Sequence, residues 1–140
     1  MKILLAVDGS PCTRRMLAYI AAHDELLKTG HDFTALTVVP PIPQHAASYL
    51  STDVIHSYYA EQAEQVLKPV RAFAQQNGWT LDTRQVVGHA GDVIAELAES
   101  GKYDLVIMGS HGHGALTGAV LGSVATRVLA KCQTPVLLVR

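Results

Sequence analysis

Leu105-Val106-Ile107-Met108-Gly109-Ser110-His111-Gly112-His113-Gly114-Ala115-Leu116-Thr117-Gly118-Ala119-Val120-Leu121-Gly122-Ser123 passes from a short apolar run, through five glycines in fourteen residues, to the start of a helical pattern. The run Leu105 to Met108 has no polar alternation, which suits a strand buried on both faces of a parallel sheet. From Gly122 onward, Val124, Ala125, Val128 and Leu129 recur at helical spacing, with Arg127 and Lys131 left to face water. Strand, glycine-rich turn and helix in that order form the unit from which an open α/β sheet is built.

The same grammar extends outward. Ile3 to Val7, Phe33 to Val39 and Val136 to Val139 are further apolar runs of strand length. Thr80 to Val87 alternates instead, with Leu81, Thr83, Gln85 and Val87 on one side, as expected of a more exposed edge strand. Helical patterns fill the gaps. One follows Ser10-Pro11, an N-cap and a first-turn proline; it carries Leu17, Ile20, Ala21 and Leu27 on one face and is expected to stop at Thr29-Gly30. A second places Ile55, Tyr59, Ala63, Val66, Val70 and Ala74 on a stripe ending near Asn77-Gly78, with Pro69 inside it, where a kink or break is expected. A third, Gly91 to Ser100, uses Ile94, Leu97 and Ala98. The resulting β-α-β-α-β-α-β-α-β order implies an α/β fold with a doubly wound parallel sheet, since each crossover is right-handed. Pro40 to Thr52, with three prolines and no apolar period, is expected to be the longest connection in the first half and mobile.

Bulk properties narrow the function. The 140 residues suit one domain, 1–140, and 49% hydrophobic with 16% charged residues is a globular balance. A net charge of -1 provides no basic field for a nucleic-acid backbone. No segment reaches membrane-spanning length, and the opening apolar run is too short for a signal peptide, so a cytoplasmic location is expected with no membrane partner. Cys12 and Cys132 have no metal-site spacing and are expected as free thiols.

Ligands of open parallel sheets bind beyond the carboxyl ends of the strands, where strand order reverses. Asp8-Gly9-Ser10, Val38-Val39-Pro40 and the segment from Gly109 should meet there. Glycines admit a ligand close to the backbone, and the helix starting at Gly122-Ser123 directs free N–H groups and its positive dipole end to the same place. A phosphate is the natural occupant, with the Ser123 hydroxyl as a further donor. The Walker phosphate loop is absent, and G-x-G-x-x-G fails because Thr117 stands where its last glycine would fall. His111-x-His113 lacks a convincingly spaced third ligand, so no metal is assigned. Asp8 has two readings, ligand contact and capping of the first helix.

Gly109-x2-Gly112-x9-Gly122-Ser123 resembles the nucleotide loop of the ATP-binding universal stress proteins, the UspA-like domains. The resemblance covers the whole chain, including the opening Ile-Leu-Leu-Ala-Val-Asp-Gly-Ser and the closing Thr134-Pro135-Val136-Leu137-Leu138-Val139. It implies a five-stranded sheet of order 3-2-1-4-5. It places Asp8 on the adenosine, Val38 or Val39 beside the adenine, and Gly109, Gly112, Gly122 and Ser123 around ribose and phosphates. The implied cofactor is ATP with Mg²⁺. The implied assembly is a homodimer through the C-terminal strand, with a further protein partner reading nucleotide-dependent shape. His113 departs from the pattern, standing where a permanently charged Arg or Lys is common. The expected function is an adenine-nucleotide-binding stress-response regulator. A nucleotide-free dimeric interaction protein comes second, and a weak ATP hydrolase third.

Overall fold

The computed structural model describes residues 1–27, 30–114, 118 and 120–140. Five strands form one parallel sheet in the order β3-β2-β1-β4-β5. They are β1 (Lys2–Ala6), β2 (Asp32–Val39), β3 (Thr80–Val87), β4 (Leu105–Gly109) and β5 (Val136–Val139). The helices are α1 (Pro11–Ala22), α2 (Asp24–Leu27), α3 (Gln44–Ala47), α4 (Thr52–Gln76), α5 (Ala90–Ser100) and α6 (Ser123–Lys131). Strand order reverses beside β1, which pairs with β2 on one side and β4 on the other.

The apolar runs are continuous because successive side chains enter opposite layers. Ile3, Leu5, Phe33, Ala35 and Ile107 join Met16, Leu17 and Ile20 of α1 and Ala63, Leu67 and Val70 of α4 in one core. Leu4, Leu36, Val106 and Met108 join Ile94, Ala95 and Ala98 of α5 and Ala125 and Val128 of α6 in the other. Trp79 closes the first core against Phe33 and Phe73, with ring centroids at 5.2 and 5.5 Å. In the second, Gly91 lets α5 and α6 approach closely, since a Cβ there would lie 2.6 Å from Arg127 Cβ.

The expected fold and its strand order are those observed, and four local expectations change. The first helix ends at Ala22, and a separate turn, α2, carries Leu27 into the core after His23. Gly30 follows at φ 73°, while Thr29 lies outside the described residues. Pro69 does not break α4, which runs unbroken for 25 residues. Pro69 and Gln65 both lie on the exposed face, so the Gln65 carbonyl deprived of its donor is open to water. Pro40 to Thr52 is not wholly irregular, because α3 forms within it and Tyr59 Oη accepts a hydrogen bond from Ile42 N at 2.8 Å. Leu129, read as part of the buried stripe of the last helix, is 46% exposed, while Ala125 and Val128 are buried in the core and Val124 packs partly buried against it.

Candidate nucleotide site

Asp8 follows directly on β1 and Val7, and the chain turns there through Gly9 at φ 77° to enter α1. The turn is tied by the aspartate itself. Asp8 Oδ1 accepts from Ser10 N and from Thr13 Oγ1, both at 2.9 Å, and Asp8 N donates to Thr13 Oγ1 at 3.1 Å. Oδ1 therefore orients the turn into α1 without accepting from a first-turn N–H of that helix. Oδ2 takes no hydrogen bond among the described residues and faces the glycine segment, 2.8 Å from where a Cβ on Gly112 would stand. One carboxylate thus holds the turn with one oxygen and presents the other.

Across from this turn, β4 ends at Gly109 and the chain folds back on itself to start α6. Ser110 is the fastener: its N–H donates to Val139 O at 2.9 Å, and its carbonyl accepts from Gly122 N at 2.7 Å. Gly122 caps α6 with no side-chain hydrogen bond, so the first-turn N–H groups of Ser123, Val124 and Ala125 have no capping side chain. Ser110 Oγ lies 2.9 Å from His111 Nδ1, and His113 Nε2 lies 2.7 Å from the Asp8 carbonyl, to which it donates.

These two turns and the end of β2 enclose a cavity of about 610 Å³, within the range of small-molecule sites. Asp8, Val38, Val39, Gly109, Gly112, Gly122 and Ser123 all line it. The walls divide by chemistry. Leu36, Val38, Val39, Ile94, Met108 and Leu121 are apolar; Asp8, Ser10, Thr13, His111, His113 and Ser123 supply polar groups at the two turns, and Gln62 and Gln65 flank Val66 on α4. Val38 belongs to the α5–α6 layer and Val39 to the α1–α4 layer, so both reach the cavity at the strand end from opposite faces.

Three glycines of the expected loop are demanded by the protein's own packing. A Cβ on Gly109 would lie 2.5 Å from Cys12 Cβ, so this glycine seats the first turn of α1 on β4. A Cβ on Gly122 would lie 3.1 Å from Ser110 O and 3.2 Å from His111 Cα. Gly112 is spaced by Asp8, whereas Gly114 has open space around it. Ser10 belongs to the Asp8-Gly9-Ser10 segment expected at the ligand, with its side chain read as the cap of the first helix. It caps nothing with its side chain: Ser10 lines the cavity and is 1% exposed, and its buried Oγ has no partner among the described residues. A serine directly before a first-turn proline reads as an N-cap, and only the fold shows that hydroxyl turned inward.

Cys12 and Cys132 are both buried free thiols. Among the described residues, no group of three or more His, Cys, Asp or Glu side chains is placed to hold a metal. No helix among them is long and apolar enough to cross a membrane.

A profile of the universal stress protein family matches residues 1–140. The chain belongs to the universal stress protein family. It is 31% identical to universal stress protein Slr1230 of Synechocystis over 139 residues, 99% of this chain and 42% of that protein. A universal stress protein of Thermus aquaticus is 31% identical over 138 residues, 99% of this chain and 97% of the relative. Apart from such single-length relatives, the chain spans about half the length of most curated universal stress proteins it matches. Among solved structures, the hypothetical protein MJ0577 superposes with a TM-score of 0.78 at 26% identity, over 99% of this chain and 94% of that one. Two more distant members share the fold with a nucleotide bound. One is a universal stress protein in complex with cAMP (TM-score 0.71, 21% identity, covering 100% and 97%). The other is the Arabidopsis thaliana protein At3g01520 with AMP (TM-score 0.69, 16% identity, covering 99% and 90%).

Proposed function

We propose that residues 1–140 form one adenine-nucleotide-binding unit that acts as a regulator. The observation that carries this reading is the uncapped N-terminus of α6 opening into the same cavity as Asp8 Oδ2 and an apolar cleft between Val38, Val39 and Met108. An adenine ring fits the apolar part and a ribose hydroxyl donates to the carboxylate oxygen. A phosphate accepts from the free N–H groups of the helix end. Related proteins that hold cAMP and AMP support the same ligand class.

ATP with Mg²⁺ is the member of that class which the loop resemblance implies. Asp8 is the only carboxylate in the described wall, so the ion would ride on the phosphates rather than in a protein cage. The site is suited to binding more than to turnover, because among the described residues the wall has no lysine or arginine to offset charge developing on a transferred phosphoryl group. Occupancy reaches the surface through Pro40, which lines the cavity and leads into the segment carrying Tyr49 (89% exposed) and Leu50. A partner protein reads that segment. Among the described residues β5 pairs only with β4, so Val136–Val139 offers its other edge to a second copy in a homodimer.

Calorimetric titration of the nucleotide-free chain with adenosine, AMP and Mg-ATP tests the reading, with Gly122→Val as the control. Valine there would strike Ser110 O and the His111 backbone, displacing the start of α6. Binding to the unaltered chain, lost in the variant, is expected. No heat with any of the three would leave the chain an interaction protein without nucleotide.

A further inference from the structure

Resting on that reading, the charge around the cavity discriminates between members of the nucleotide class. Among the described residues that line it there is one carboxylate, Asp8, and two imidazoles, His111 and His113, with no lysine or arginine. The loop positions 115–117 and 119 are Ala, Leu, Thr and Ala, so they add no cation. On α6 itself, Arg127 Nε and Lys131 Nζ are drawn away to Asp92, at 2.8 and 2.6 Å. Arg14 and Arg15 of α1 are exposed and do not line the cavity.

What remains to hold an anion is the end of α6, roughly half a positive charge, together with neutral hydroxyl and N–H donors. Against it stands the full negative charge of Asp8. Both imidazoles are also engaged by the protein: His113 Nε2 with the Asp8 carbonyl, His111 Nδ1 with Ser110 Oγ. One phosphate can be satisfied by a helix end in this setting. Each additional phosphate brings about one more negative charge into a wall that offers no fixed cation to meet it.

We infer that this site selects a nucleoside monophosphate, linear or cyclic, over the triphosphate, and that His113 is the residue that sets the selection. The His113 side chain leaves the loop beside Gly112 and reaches Asp8, at the junction of the two turns that face each other across the cavity. A fixed guanidinium or ammonium there would add to the described wall of the cavity the permanent positive charge it otherwise lacks. The imidazole instead closes onto a backbone carbonyl.

The experiment is calorimetry on the full, nucleotide-free chain with adenosine, AMP and ATP at one ionic strength, with and without Mg²⁺. The readout is the ratio of the ATP to the AMP dissociation constant. The ratio is expected to exceed about ten without Mg²⁺ and to shrink when Mg²⁺ masks phosphate charge. In His113→Arg the ratio should fall by about tenfold, and His113→Lys should move it in the same direction. Thermal unfolding confirms that each variant is folded, and either one suffices. ATP binding as tightly as AMP in the unaltered chain, while adenosine also binds, overturns the selection and leaves the nucleotide reading standing. An unchanged ratio in both folded variants overturns the role of His113. Failure of adenosine and AMP alike overturns the nucleotide reading itself.

Discussion

Gly112→Ala probes the double duty of Asp8 with a single methyl group. The new Cβ would lie 2.8 Å from Asp8 Oδ2, closer than carbon and oxygen tolerate, and the next atom it meets, Asp8 Cγ, is at 4.0 Å. Relief must therefore come from rotation of the carboxylate or a shift of the loop. Rotation is resisted at the other oxygen, where Ser10 N and Thr13 Oγ1 both donate to Oδ1 at 2.9 Å. A hydrogen bond to a charged group contributes about 1.5–3 kcal/mol, so losing one of the two sets the expected loss of folding stability. The methyl also covers the oxygen that would receive the ribose, so nucleotide affinity should fall by about tenfold or more, the equivalent of one such bond. Urea unfolding and calorimetric titration of the same preparation measure both quantities. A variant with unaltered stability and unaltered affinity would refute the claim that Asp8 is clamped on one side and presented on the other.

Other consequences follow from individual contacts. Asp92 is held from 3.8 down to about 2 by hydrogen bonds first from Arg127 and then from Lys131. A depressed carboxylate stabilises the fold above its unfolded value, and the contribution is lost as pH falls from near 4 through about 2. Asp92→Asn should flatten the acid limb of stability in that window, and an unchanged limb in acid unfolding curves would contradict the α5–α6 tie. Gly109→Val should destabilise by about 1–3 kcal/mol as an overpacked contact against Cys12, measured by chemical denaturation; a neutral result would mean that α1 shifts freely on β4. Sedimentation equilibrium should give about twice the 15.0 kDa chain mass if β5 pairs with a second copy, and a monomer at high micromolar concentration would remove that assembly.

Much of this architecture was legible because buried parallel strands and amphipathic helices leave opposite signatures. Ile3 to Val7 and Leu105 to Met108 suited two-face-buried strands, and Thr80 to Val87 suggested its edge position by alternating. The site was legible to the extent that topology dictates it: strand ends at a reversal of order converge, so Asp8, Val38, Val39 and Gly122 had to meet. Local departures arose where water or a neighbouring element overrides propensity. Pro69 sits inside an unbroken helix because its unpaired carbonyl partner is on the wet face. The glycine count suggested room for a ligand, but Gly109 and Gly122 are needed against Cys12 and Ser110 whatever the ligand. Neither the inward turn of Ser10 Oγ nor the bond from His113 to the Asp8 carbonyl has a one-dimensional signature, since each joins atoms placed by separate elements.

On the proposed function, an adenine nucleotide occupies the cavity at the carboxyl ends of β1, β2 and β4. The most direct test is a nitrogen-15 NMR titration of the full chain with AMP, following every backbone amide. Shifts are expected to concentrate at Asp8 to Thr13, Val38 and Val39, Ser110 to Gly114 and Gly122 to Ala125, with the first-turn amides of α6 moving furthest. Shifts confined to other surfaces, or none at millimolar AMP, would contradict it.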